Sequence, residues 1–134
     1  MGSQQLLLIV VGVVLIGIMV AVGMDMFKDQ AGATNRDSIS NDLVHFAVQA
    51  QKYYRRPRIL GGGEHSFNGL TLSRLTKIQS NANGAYQLTP DPVSGDEAFV
   101  TITGIGTNNG NDGSTPVQVQ ARVWPDSTLV ITVN

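Results

Sequence analysis

From Leu6 to Met24 the chain reads LLLIVVGVVLIGIMVAVGM, nineteen residues without a charge, and this run limits the possible folds more than any other feature. As a helix rising ~1.5 Å per residue it is roughly 28 Å long, close to the ~30 Å apolar thickness of a bilayer. It carries thirteen Leu, Ile and Val side chains. At about 1.5–3 kcal/mol each, leaving them in water would forfeit on the order of 20–40 kcal/mol. Residues 25–134 suffice for one head of modest core size, with no room to wrap such a rod. The rod must lie in lipid or among other apolar rods.

The run divides the chain into two populations. Every Lys, Arg, Asp and Glu lies in residues 25–134, and the formal net charge is -1. Such a balance gives no indication of a nucleic-acid or polyanion partner. The absence of cysteine excludes a disulfide framework and thiolate metal sites. A secretory leader would have a basic front end, a shorter apolar stretch and a small-residue cleavage site. Met1-Gly2-Ser3-Gln4-Gln5 has no Lys or Arg, and Ala21-Val22-Gly23 only approximates a cleavage site, so a retained helix is expected. Gly12, Gly17 and Gly23 interrupt the run at spacings other than four, which gives no simple paired-helix seam but does allow close backbone approach.

Beyond Met24, Ile39, Leu43, Phe46, Ala47, Ala50 and Tyr54 recur at three- and four-residue steps, one apolar face of a docked helix. Ser40, Asn41, Gln49 and Lys52 fall off that face. Arg55 and Arg56 suit the negative end of a helix, Pro57 stops it, and Gly61-Gly62-Gly63 opens a loop. One helix from about residue 2 to 56 is the favoured reading. A restart at a Thr34-x-x-Asp37 capping box is the alternative. Leu70 to Ile78 suggests a short helix or irregular loop.

Four strand-like runs follow: residues 85–89, 98–103, 117–123 and 128–133. The third alternates strictly, with Val117, Val119, Ala121 and Val123 against Gln118, Gln120 and Arg122. Short runs bounded by Gly, Pro, Asn and Asp predict an antiparallel meander with one buried face. That face and the amphipathic helix can cover each other. The expected class is therefore α+β: a long N-terminal helix whose C-terminal half packs on a four-stranded antiparallel sheet. Residues 1–24 form the apolar helix and residues 25–134 the head, which divides into helix to about 56, loop 57–84 and sheet 85–134.

Chemistry-bearing patterns are sparse. His45 and His65 have no metal-ligand spacing. Glu64, His65 and Ser66 are sequence neighbours and so cannot converge as a triad. No phosphate loop or dinucleotide fingerprint occurs, so neither an enzyme nor a cofactor is expected. The Tyr53-Tyr54-Arg55-Arg56-Pro57-Arg58 cluster could grip phosphates and stack bases. As a helix terminus it would instead pack its tyrosines and turn its arginines toward water or a neighbour's Asp91, Asp96 or Glu97. Gly106 to Gly113 has one acid where a calcium loop needs several, and is expected as a surface loop. No Asn-x-Ser/Thr glycosylation site is present.

QQLLLIVVGVVLIGIMVAVG, leading into a helix that docks on four antiparallel strands, resembles the type IV pilins. The likeness covers the whole architecture, and its motif character rests in the opening residues. It implies a precursor in the cytoplasmic membrane, trimming by a prepilin peptidase, methylation of the new amine and handling by the pilus assembly machinery. It also implies polymerisation with sister copies into an extracellular filament whose core is the apolar helix. Met1, Gly2 and Ser3 would be the region of processing, and Gln4, Gln5, Leu6, Leu7, Leu8, Gly12, Gly17 and Gly23 would pack in the core. The family's glutamate is missing: its place falls on Gln5 counted from Met1, or on Leu7 if Met1-Gly2 is a leader. The mid-helix proline and the cysteine pair are missing too. No nucleic-acid or small-molecule ligand is implied. A pseudopilin of a secretion system and a single-pass tethered binding module are the other readings the same pattern permits.

Overall fold

The computed structural model describes residues 2–134. One helix, α1 (Gly2–Arg55), opens the chain and at ~1.5 Å per residue extends about 81 Å. It continues without interruption through Gly32 and Thr34. The capping-box restart is therefore wrong: Thr34 lies inside the helix, where its carbonyl accepts the Ser38 hydroxyl at 3.0 Å. No proline lies between Gly2 and Arg55, so nothing removes a helical N–H over that span.

The sheet is a meander of β1 (Gly84–Thr89), β2 (Val100–Asn109), β3 (Pro116–Val123) and β4 (Thr128–Thr132), in that spatial order and antiparallel throughout. The fold is thus α+β, with the C-terminal half of α1 packed on the strands. Ile39, Leu43, Phe46, Ala47 and Ala50 of the expected face are buried, and Tyr54 is half-buried at its end. They meet Tyr86, Leu88, Val100, Ile102, Val117, Val119, Ala121 and Val123. Phe67, Leu70, Leu72, Leu75 and Val93 close the core from the connection between helix and sheet. Leu70 to Ile78 does contain a helical turn, α2 (Leu72–Leu75).

Two expectations change. The second strand does not run over 98–103 but over Val100–Asn109, so Gly106 to Asn109 is strand rather than loop. The reason is visible in the backbone. Between Ile105 and Asn109 the register with β3 shifts, and the displaced Thr107 and Asn108 N–H groups donate to Asn35 Oδ1 at 3.1 and 3.3 Å. A side chain on the helix thus completes what the bulge leaves unpaired. The docked face also begins earlier than its apolar pattern, with Gly32 and Asn35 buried.

The helix end is closed by the glycine loop. Gly63, His65 and Glu64 donate their N–H groups to the carbonyls of Tyr53, Tyr54 and Arg56 at 2.9, 2.7 and 2.9 Å. Those carbonyls lie in the last turn or just past it, and only that of Tyr53 has another donor ahead of it, the Arg56 N–H at 3.3 Å. The fold-back requires room: a Cβ on Gly63 would stand 1.8 Å from the Ser66 carbonyl oxygen. It also holds Glu64 and His65 at φ 50° and 64°, a left-handed conformation that non-glycine residues seldom adopt.

Candidate functional site

The helix that anchors the head also projects from it. From Leu6 to Phe27 no large apolar side chain is covered by the rest of the chain; Leu8 is 71% exposed and Phe27 77%. The helix is long and apolar enough to cross a membrane. Gln4 and Gln5, with Gly2 and Ser3, lie exposed at its start, and Leu6, Leu7 and Leu8 follow. Met1 falls outside the described residues. A Cβ placed on Gly12, Gly17 or Gly23 would meet nothing within 4 Å. Contacts inside the chain therefore do not account for these three glycines, each of which costs a helix about 1 kcal/mol relative to alanine.

Where α1 enters the head the glycines behave differently. Gly32 faces β2 so closely that a Cβ there would be 2.7 Å from the Asn109 carbonyl oxygen. On the strand, a Cβ on Gly104 would be 2.4 Å from Ile39 Cγ2, and one on Gly106 would be 2.1 Å from Asn35 Oδ1. Bare backbone on both sides lets helix and strand approach closely. Asn35 fastens the contact by also donating to the Asn83 carbonyl at 2.7 Å.

Two turns along the helix from Asn35, Asp42 gathers a second set of partners. Its Oδ2 accepts from Asn81 and Asn83 Nδ2 at 3.0 Å each, and from the Tyr86 hydroxyl. Burial alone would raise the Asp42 pKa, but the hydrogen bonds from Tyr86, Asn83 and Asn81, helped by the charge of nearby His45, leave it lowered. Tyr86 is pushed the other way, by burial first and then by its hydrogen bond to the Asp42 carboxylate and that group's charge. Neither Asn35 nor Asp42 was picked out by sequence reasoning. Their partners lie 39–73 residues away, and only the apolar residues of the face formed a pattern.

Between the exposed and the docked parts of α1 lies a groove of about 1020 Å³, bordered by Phe27, Lys28, Arg36 and the β2–β3 hairpin. Arg36 Nη2 donates to Asn111 Oδ1 at 2.8 Å. The hairpin turn is tied by its single acid: Asp112 accepts from the Ser114 and Thr115 N–H groups at 3.0 Å and from the Thr115 hydroxyl. Those bonds hold the Asp112 carboxyl well below its usual range.

The remaining candidates separate. His45 and His65 are exposed and belong to different elements. Ser66 donates to Asp96 Oδ1 at 2.7 Å, not to His65, and Asp96 itself is exposed. Tyr54 packs edge-on to His65 and against Phe67, with ring centroids 5.9 and 4.9 Å apart. The tyrosines do pack, while Arg56 and Arg58 stay exposed. Arg55 Nη2 donates to the Pro125 carbonyl at 3.4 Å. No group of three or more His, Cys, Asp and Glu side chains that could hold a metal ion occurs among the described residues.

Comparison of the chain with protein-family models, curated proteins and solved structures returned no match.

Proposed function

We propose that this chain is the structural subunit of an extracellular helical filament of the type IV pilin kind. The observation that carries the proposal is the unbroken α1, apolar on every side through Met24 and covered by nothing in its own chain, yet firmly docked on the sheet from Gly32 onward. A helix that is hydrophobic all round has to be buried, in lipid or among other helices. Both environments keep the same surface from water, so a subunit can wait in the cytoplasmic membrane and later join a core of sister helices. The exchange of lipid contacts for helix contacts then decides assembly. Gly12, Gly17 and Gly23, without contacts inside the monomer, suit close approach by those neighbours. With no acid in the first turn, registration rests on packing and on Gln4 and Gln5.

Cell-surface material imaged by electron microscopy should contain filaments made of this chain. The mass of the native N-terminus should show loss of Met1-Gly2 and one added methyl group. Replacing residues 4–24 by polyleucine should retain membrane attachment and abolish filaments. A second reading, a single-pass tethered module, is favoured by one observation: the head core draws on no residue before Gly32. On that reading the polyleucine chain keeps its full activity.

A further inference from the structure

The end of the head farthest along α1 carries a charge pattern that the even overall balance hides. Six of the nine Lys and Arg residues, namely Lys52, Arg55, Arg56, Arg58, Arg74 and Lys77, fall within one stretch whose single acid is Glu64. Two of them, Arg58 and Arg74, line a cavity of about 320 Å³ together with Tyr53, Asn68 and the Gly61–Gly63 loop. Arg74 is held in place: its Nη1 donates to the Gly61 carbonyl at 2.7 Å, and its guanidinium carbon lies 5.4 Å from the centre of the Tyr53 ring. Tyr53 is fixed in turn by donating to the Asn68 carbonyl at 2.7 Å. In the loop itself Gly62 and Gly63 leave no room for a Cβ, which would stand 2.1 and 1.8 Å from the Arg56 and Ser66 carbonyl oxygens, and Glu64 and His65 are left-handed. Among the described residues Arg58 is opposed only by Glu64, at 3.6 Å and in solvent, a contact worth little.

We propose that this cavity is a binding site for a single oxyanion, a phosphate or sulfate group, either free or carried on a larger molecule. Guanidinium forks match tetrahedral oxyanions in geometry as well as charge, and one preset arginine lowers the ordering cost of binding. Arg74 Nη2 and Nε and the two terminal nitrogens of Arg58 make no hydrogen bond to the chain among the described residues, which leaves several donors for one anion. Ile59 and Leu60, 96% and 67% exposed on the turn between Arg58 and Gly61, would lie beside the bound group and meet any apolar portion attached to it.

The test is a titration of the full chain in non-ionic detergent with inorganic phosphate, at ionic strength held constant with chloride, followed by backbone and arginine Nε nuclear magnetic resonance signals. Saturable shifts confined to Gly61–Gly63, Asn68 and Arg74 are expected. R58Q, which removes no recorded contact beyond the exposed one to Glu64, should weaken binding roughly tenfold. E64Q should strengthen it, a change of sign that simple damage to the loop would not give, and R122Q should leave it unchanged. A glycerol-phosphate polymer serves as the second arm. Tighter binding per phosphate than the free ion assigns the site to a polymer-borne group, and equal binding assigns it to the free ion. Shifts that never saturate and spread over all cationic side chains would overturn the proposal. So would R58Q and R74Q curves that superimpose on that of the unmodified chain. Filament formation is not read by this experiment, so its failure would leave the proposed filament role where it stands.

Discussion

The two halves of α1 share a backbone and differ in nearly everything else. Through Met24 the helix has apolar side chains on all sides and glycines beside empty space; from Gly32 onward one face is buried, and Gly32 itself lies within contact distance of a strand. The second half obtains its stability from its own chain: Leu43 and Ile39 are fully buried, Asp42 accepts from Tyr86 of β1, and Asn35 ties the helix to Asn83 and to the β2 bulge. The first half can obtain its stability only from outside. The comparison shows that helical continuity does not imply a shared environment. It also makes each half separately breakable.

The largest expected effect is at Ile16. A carboxylate at the centre of an apolar helix costs about 2.5–3.5 kcal/mol in a bilayer. Ile16→Asp should weaken membrane retention and block assembly, where the carboxylate would be enclosed among neighbouring helices, while leaving the urea midpoint of the head unchanged. Leu43→Ala should do the reverse. Loss of a fully buried leucine should cost about 2–5 kcal/mol of head stability, read by urea unfolding, with membrane attachment intact.

Glycine sharpens the contrast further. Gly106→Ala would force a Cβ to within 2.1 Å of Asn35 Oδ1 and 3.0 Å of Ile39 Cδ1, and should destabilise the head by about 1–3 kcal/mol. The same change at Gly12 meets nothing in the monomer and should leave head unfolding untouched. Any effect of Gly12→Ala on filament yield would then measure contacts between copies.

The smallest effect concerns acid. Because the Asp42 pKa is lowered in the folded head from its ordinary 3.8, the unfolded chain takes up its proton first as pH falls. Its contribution is complete only above about pH 5, about one unit above the unfolded pKa, and fades as pH drops toward the folded value. Asp42→Asn should therefore lower head stability at neutral pH and flatten the acid limb of the stability curve. An acid limb of the same slope in both proteins would remove Asp42 from the account.

What was legible in the sequence followed from repetition. The apolar run, the three- and four-residue steps from Ile39 to Ala50 and the strict alternation from Val117 to Val123 each repeat a period, and the helix, the docked face and β3 emerged where those periods placed them. Single residues that act through distant partners left no period. Asn35 lies one step ahead of the apolar face and is polar, and only the bulge across from it, more than 70 residues later, explains its burial. The stretch after Gly106 reads as loop because Gly, Thr and Asn favour turns. It is strand because the helix supplies the hydrogen-bond acceptor that β3 does not. The arginine-lined cavity was visible only as a cluster at a helix end; its second wall, Arg74, comes from α2.

Analytical ultracentrifugation of the unmodified chain after complete removal of detergent tests the central claim most directly. If the apolar half of α1 finds cover only outside its own subunit, the chain must sediment as assemblies far heavier than 14.3 kDa, and a chain beginning at Gln30 must not. A stable, soluble 14.3 kDa species of the unmodified chain in plain buffer would contradict it.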